Sequence, residues 1–264
     1  MELQIFQVDA FASHPFEGNP AAVIPLEKWL PDRILQQIAM ENNLSETAFF
    51  VPVDDGYDLR WFTPVMEVNL CGHATLAAAH VLFEYFIHSQ NSVRFESRSG
   101  ILYVYKRDGL LILDFPSFNP EPAAIPELIE MALGSKPRLC FSGGEDLMAV
   151  FEDEDTIKRL NPDFRLLEKL PYRGIVVTAG SWEYDFVSRF FAPAVGVDED
   201  PVTGSAHTLL IPYWSKIKGK DALIAKQVSK RGGILYCSIS SERVKIGGFA
   251  VTYMRGAIYT GETE

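Results

Sequence analysis

Apolar and polar positions alternate along the first sixty residues in the way half-buried strands do. Leu3, Ile5 and Val8 with Phe6 and Phe11 predict a first strand, and Ala21 to Ile24 a second after a loop of turn-forming residues, Ser13 to Pro20. Pro31 to Met40 changes period: Pro stands at a first-turn position, and Ile34, Leu35 and Ile38 line one face of an amphipathic helix. Leu44 to Val51 and Tyr57 to Phe62 predict two more strands, the latter ended by Pro64. From Gly72 onward the pattern loses its polar face, since Ala74, Leu76, Ala77, Ala78, Ala79, Val81, Leu82 and Phe83 surround the helix axis. Such a helix must be enclosed by protein on most sides, and the strand-rich flanks supply the wrapping. Val93 to Phe95, Ile101 to Tyr105 and Leu110 to Phe115 follow as strands, and Pro116 to Pro122, with three prolines, reads as a linker.

Beyond the linker a similar order recurs. Ile125 to Leu133 predicts a helix, Leu147 to Phe151 a strand and Thr156 to Leu160 a short helical piece. Gly174 to Thr178 and Tyr184 to Phe191 predict strands leading to a second apolar helix from Gly204, in which Pro212 is expected to cause a kink or an early end. Leu235 to Ser240, Val244 to Ile246, Ala250 to Met254 and Ala257 to Tyr259 close the chain as strands.

The two halves match in detail. Arg60-Trp-Phe-Thr-Pro64 answers Arg189-Phe-Phe-Ala-Pro193, and each is followed by a Gly-containing turn and an apolar helix. Downstream, Ser97-Arg-Ser-Gly-Ile-Leu-Tyr-Val104 answers Ser229-Lys-Arg-Gly-Gly-Ile-Leu-Tyr-Cys237, with 28 positions from Gly72 to Gly100 and 29 from Gly204 to Gly233. One supersecondary unit duplicated and fused is the expected origin. Two copies are too few for a solenoid, so two similar domains facing across a cleft are expected. The division falls at 1–118 and 119–264, with the last strand free to return to the first domain.

At 264 residues, 47% apolar and 22% charged, the chain has the composition of a globular protein with ample core. A net charge of −11 argues against nucleic acid or an anionic membrane as partner, so an anionic ligand must be held by local groups such as helix ends. Met1 to Ala10 has no basic flank or apolar run of a leader, and Ala74 to Phe83 is too short to span a bilayer. Cys71, Cys140 and Cys237 form no paired framework, which fits a reducing cytoplasm.

Val8-Asp-Ala-Phe11, Gly18-Asn-Pro-Ala-Ala-Val23, Ser45-Glu-Thr47, Cys71-Gly-His-Ala-Thr75 and Glu199-Asp-Pro-Val-Thr-Gly-Ser-Ala206 resemble, in order, the motifs of the PhzF-like family of the diaminopimelate epimerase superfamily. The resemblance implies an α+β fold of two similar domains, each a curved, mostly antiparallel sheet rolled around a central helix. It also implies a cofactor-free site in the cleft, acid–base proton transfer on a small carboxylate substrate, and a homodimer.

The residues support a site of that kind. Helices starting at Gly72 and Gly204 present free N–H groups and a positive dipole end, so they are expected to bind a carboxylate, with Ser205 and Asn19 as further polar contacts. The plainer role of the glycines is close packing at turns. Glu46, at the mouth of an apolar strand, is the expected general base or acid, because partial desolvation raises a carboxyl toward neutrality. Its plainer role is a solvated acid. His73 lies in a first turn, where the dipole disfavours the imidazolium and a neutral ring can relay a proton; capping or packing is its plainer role. Asp200 matches the family's acid that helps to hold a substrate amino group.

Racemases of the superfamily use two facing cysteines. Cys71 matches the first, but Thr203 stands at the second, which disfavours two-thiol racemisation. His73 and His80 lie about 10 Å apart along one helix, too far to share one metal ion with Glu84, so no metal is expected, and the resemblance implies that no cofactor is needed. The leading expectation is an isomerase in which Glu46 moves the proton with His73 and Asp200 assisting. A racemase, a dehydratase and a binding protein that converts nothing are the alternatives.

Overall fold

The computed structural model describes residues 1–261, a mixed α and β protein made mostly of strands, with six α-helices among the described residues. It divides into two compact units, Met1–Asp114 with Gly247–Glu264, and Phe115–Ile246. The boundary lies a few residues before the expected one, and the C-terminal strand belongs to the first unit.

The first unit runs β1 (Glu2–Ala10), β2 (Asn19–Pro25), α1 (Asp32–Asn42), β3 (Glu46–Val53), β4 (Gly56–Phe62), β5 (Glu67–Val68), α2 (Gly72–Tyr85), β6 (Ser92–Glu96), β7 (Leu102–Arg107) and β8 (Leu110–Pro116). The second continues β9 (Glu121–Ala123), α3 (Ile129–Leu133), β10 (Leu139–Gly143), β11 (Asp146–Val150), α4 (Glu154–Arg159), α5 (Phe164–Leu167), β12 (Gly174–Gly180), β13 (Phe186–Ala192), β14 (Val197–Asp200), α6 (Gly204–Lys218), β15 (Ala222–Gln227), β16 (Gly233–Ser240) and β17 (Arg243–Gly248). Then β18 (Ala250–Tyr259) pairs antiparallel with β1 along most of its length.

Both faces of the first sheet are covered, which is why β2 is almost uninterruptedly apolar. Ala22 and Ile24 pack with Phe49 and Phe62 beneath α1, whose Leu35 and Ile38 are buried. The alternate residues Ala21 and Val23 point to the other face, where α2 contacts β1, β2, β3 and β18. Its run of alanines lets the strands approach closely, and every residue from His73 to Ala79 is buried. In the second unit Leu147, Ala149, Ile175 and Val177 pack with Ile129, Leu133 and Ile157 from α3 and α4.

The strand registers repeat from one unit to the other. β2 and β3 are parallel, as are β11 and β12; β3 and β4 are antiparallel, as are β12 and β13; β4 and β6 are parallel, as are β13 and β15. Arg60 forms a two-pronged ion pair with Glu67, and Arg189 does the same with Glu199. Each guanidinium also lies over the phenylalanine two residues on, at 5.1 Å from the Phe62 ring centre and 4.9 Å from that of Phe191.

Several expectations need correction. The stretch read as a linker begins in β8 and contains β9, which pairs antiparallel with β10. Helix α3 is shorter than expected and starts beyond Pro126, while β10, β15 and α5 carry too weak a pattern to be read from sequence. Pro212 does not end α6. A proline there deprives the Thr208 carbonyl of its partner four residues on, and the backbone N–H of Phe118 fills that vacancy at 3.0 Å.

Candidate active site

Four side chains predicted separately meet in the first unit. Asn19 opens β2 after a turn at Gly18, where φ is +64° and a Cβ would lie 2.1 Å from the Ala10 carbonyl oxygen, so only glycine fits. Glu46 opens β3, and the parallel register sets it beside Ala21, two residues into β2. Cys71 is the N-cap of α2, and His73 lies in that helix's first turn.

The His73 ring joins the group. Its Nε2 lies 3.0 Å from Glu46 Oε2, a close ionic contact that is not aligned as a hydrogen bond. Its Nδ1 lies 3.1 Å from Asn19 Nδ2 and 3.5 Å from Cys71 Sγ. Asn19, Cys71 and His73 are buried, whereas the Glu46 side chain is 18% exposed and is the member a ligand can reach most directly. An amide offers N–H to a neutral ring or its carbonyl oxygen to an imidazolium, so Asn19 can support His73 in either protonation state.

The expected neutral His73 is not what the surroundings favour. Burial lowers its pKa, but the charges of Cys71 and Glu46, with the close contacts those two groups make to the ring, outweigh that and raise it well above the ordinary imidazole value. Cys71 is itself pushed up to about 11, first by burial and then by the Glu46 charge, so at neutral pH it is a thiol. With the thiol uncharged, Glu46 is the anion that remains to favour the imidazolium at neutral pH. Neither α2 nor α6 has a side-chain cap at its N-terminus, which leaves N–H groups at Gly72 and Gly204 for a ligand.

Asp200, Thr203, Gly204 and Ser205 form a second group within their own unit. Thr203 Oγ1 donates to Asp200 Oδ2 at 2.5 Å, and the Thr203 N–H donates to Gln227 Oε1 at 2.9 Å. Gln227 Nε2 in turn donates to the Asp200 carbonyl at 2.7 Å. Arg173, paired through two nitrogens with Asp146, reaches Ser205 Oγ at 3.3 Å. Sequence reasoning missed Gln227, Arg173 and Asp146, because each joins the group through pairing of distant strands. His80, by contrast, is engaged with Thr252 Oγ1 at 2.9 Å.

The strand registers match the two repeats residue by residue. Arg60 stands across from Phe49, and Arg189 across from Val177, so Glu46 and Gly174 hold equivalent places. Cys71 then answers Thr203 and His73 answers Ser205. Thr75 Oγ1 donates to the Cys71 carbonyl at 2.6 Å, and at the matching place His207 Nδ1 donates to that of Thr203 at 2.8 Å. The scaffold is duplicated, whereas the Glu, Cys and His set occurs in one copy.

Comparison with known proteins agrees with this architecture. An uncharacterized isomerase of Pseudomonas aeruginosa is 54% identical over 259 residues, covering 98% of this chain and 100% of the relative. A crystal structure from Enterococcus faecalis described as a phenazine biosynthesis protein of the PhzF family superposes with a TM-score of 0.96 at 49% identity, over 98% and 100% of the two chains. A hydroxyproline epimerase of Agrobacterium vitis shares the fold at a TM-score of 0.64 and 11% identity, over 97% of this chain and 92% of that one. Residues 8–256 match the family described as phenazine biosynthesis-like protein, PhzC-PhzF, and the chain belongs to it.

Proposed function

We propose that the protein is a cofactor-independent isomerase that moves a proton along a small carboxylate substrate, cyclic or amino-acid-like. The observation that carries this reading is the contact of Glu46 Oε2 with His73 Nε2 at 3.0 Å in a setting without its counterpart in the second repeat. A partly exposed carboxylate can take a proton from carbon, hold it as the carboxylic acid and return it nearby, while the adjacent imidazolium offsets the negative charge left on the substrate between the two steps. The N–H groups at the start of α2 suit the substrate carboxylate. We assign Asp200, Gly204 and Ser205 to substrate binding, with Asp200 favouring a polar or cationic substituent.

A racemase draws less support. It needs a second base on the opposite face of the carbon, and the matching places hold Gly174, Thr203 and Ser205, none of which supplies a thiolate or carboxylate.

A thermal-shift screen of small carboxylates, followed by solvent-deuterium incorporation into any hit, identifies the substrate class. With that substrate, Glu46→Gln is expected to lower turnover by about 100-fold or more at little change in melting temperature. Unchanged turnover would overturn the assignment of Glu46, and exchange of the α-hydrogen from both enantiomers would favour the racemase.

A further inference from the structure

His73, His80 and Glu84 are spaced too far apart along α2 to share one metal ion. Folding gathers a different trio: one ligand atom each from Glu46, Cys71 and His73, all within 4.8 Å of one another. A carboxylate, a thiol and an imidazole are the donor set of a three-residue zinc site with an open fourth position. We propose that Glu46, Cys71 and His73 form a binding site for one thiophilic divalent cation, of which Zn²⁺ is the natural example, and that the metal-bound form is inactive.

The geometry can be compared with what tetrahedral zinc demands. Metal–ligand lengths of about 2.0–2.3 Å place neighbouring donors about 3.3–3.6 Å apart. His73 Nε2 lies 3.0 Å from Glu46 Oε2 and 4.0 Å from Cys71 Sγ, each a few tenths of an ångström from that range, and the most separated pair of donors, within 4.8 Å, closes by rotation of the partly exposed Glu46 side chain. Coordination through Nε2 leaves the proton on Nδ1, which needs an acceptor. Asn19 sits 3.1 Å from Nδ1, and a turn of its amide presents the carbonyl oxygen, the outer support that metal-bound histidines usually have. The thiol selects soft and borderline ions, so Mg²⁺ and Ca²⁺ are not ligands of this site.

Binding rests on this geometry alone. Loss of activity rests in addition on the proposed role of Glu46, because coordination occupies the atoms that would carry the proton. The two can be tested apart.

Titration of the whole protein with Co²⁺ under reducing, oxygen-free conditions is expected to give one ion per chain, with a thiolate-to-cobalt charge-transfer band and the visible bands of four-coordinate cobalt. Cys71→Ser should abolish the charge-transfer band, and His73→Gln should weaken binding by about 100-fold or more, each checked for folding by circular dichroism. The Cys140→Ser, Cys237→Ser double variant should bind as the parent does. Absence of the band in the parent protein, or its survival in a folded Cys71→Ser variant, overturns the site. If Co²⁺ and Zn²⁺ bind as described but turnover is unaffected, the site stands, while the inactive form and the role of Glu46 fall.

Discussion

Glu46 and Gly174 occupy one and the same position of the repeated unit, the first residue of its strand before the Arg-bearing hairpin partner. A side chain at Gly174 is excluded by its neighbour, because a Cβ there would lie 2.2 and 2.5 Å from atoms of the Phe190 ring. The second repeat has filled with an aromatic ring the place where the first keeps a carboxylate.

Gly174→Ala therefore forces a buried ring to move. It is expected to destabilise the protein by about 1–3 kcal/mol in urea unfolding, the usual cost of overpacking. Pairing the change with Phe190→Leu should recover much of the loss. A neutral single variant would mean that Phe190 yields freely and that the position is open after all.

Pro212→Ala tests the docking of Phe118 onto α6. Replacing proline within a helix ordinarily gains about 3 kcal/mol. Here the Thr208 carbonyl already has the Phe118 N–H, so restoring the helical bond displaces that donor. The net change is expected to stay within about 1 kcal/mol, with faster hydrogen exchange at Phe118. A full gain in stability with unchanged exchange would contradict this.

How much of this was legible beforehand follows from the reach of each signal. The enclosed helices α2 and α6 were readable because a helix without a polar face has one physical solution. The Arg60 and Arg189 motifs were readable as a repeat, although their shared ion pairs with Glu67 and Glu199 were not. Glu46, His73 and Asn19 were chosen individually, but their meeting depends on the parallel register of β2 and β3, which no local pattern encodes. The neutral His73 expected from the dipole of its own helix meets the same limit, because the dipole is a local signal, whereas the Glu46 carboxylate arrives from a distant strand. Gln227 was invisible because nothing about a lone Gln on a short strand points to Thr203.

Cys71 provides a test of the cluster that needs no substrate. Burial and the Glu46 charge raise its pKa to about 11, so alkylation by iodoacetamide is expected to be slow at pH 7 and to quicken as pH rises toward that value. In a His73→Gln background, where no imidazolium is lost with it, Glu46→Gln removes the second cause and should speed modification of Cys71 several-fold at fixed pH, read by mass spectrometry of the labelled peptide. An identical rate in the two proteins would place Glu46 out of electrostatic reach of the thiol.

Arg189 links α4 to the sheet, because besides Glu199 it donates to the carbonyls of Ile157 at 3.2 Å and Leu160 at 2.8 Å. Its side chain is only 12% exposed. Glu199→Gln is expected to cost about 2–3 kcal/mol, since the cation keeps its carbonyl partners. Arg189→Met should cost about 3–5 kcal/mol because those carbonyls and the Glu199 charge lose their donor together. Urea midpoints decide the order, and a milder effect for Arg189→Met would show that the carbonyl contacts contribute little.

His207 gives a pH-dependent prediction with a definite sign. The ring is fully buried against Phe186, and burial lowers its pKa to about 4 from an ordinary 6.5, despite the bond to the Thr203 carbonyl. Protonation therefore favours the unfolded chain: the stability that comes from keeping the ring neutral is present above pH 6.5 and is lost as pH falls toward 4. At pH 5 the expected loss is about 2 kcal/mol. His207→Thr copies the matching Thr75 and can still reach the Thr203 carbonyl, but it leaves space beside Phe186 and should cost about 1–3 kcal/mol at pH 7.5. Because the variant has no ring to protonate, the stability difference between the two proteins should shift by about 2 kcal/mol in the variant's favour between pH 7.5 and pH 5. Urea unfolding of both at several pH values measures this directly, and a gap that stays constant would mean that the buried ring does not titrate as its surroundings require.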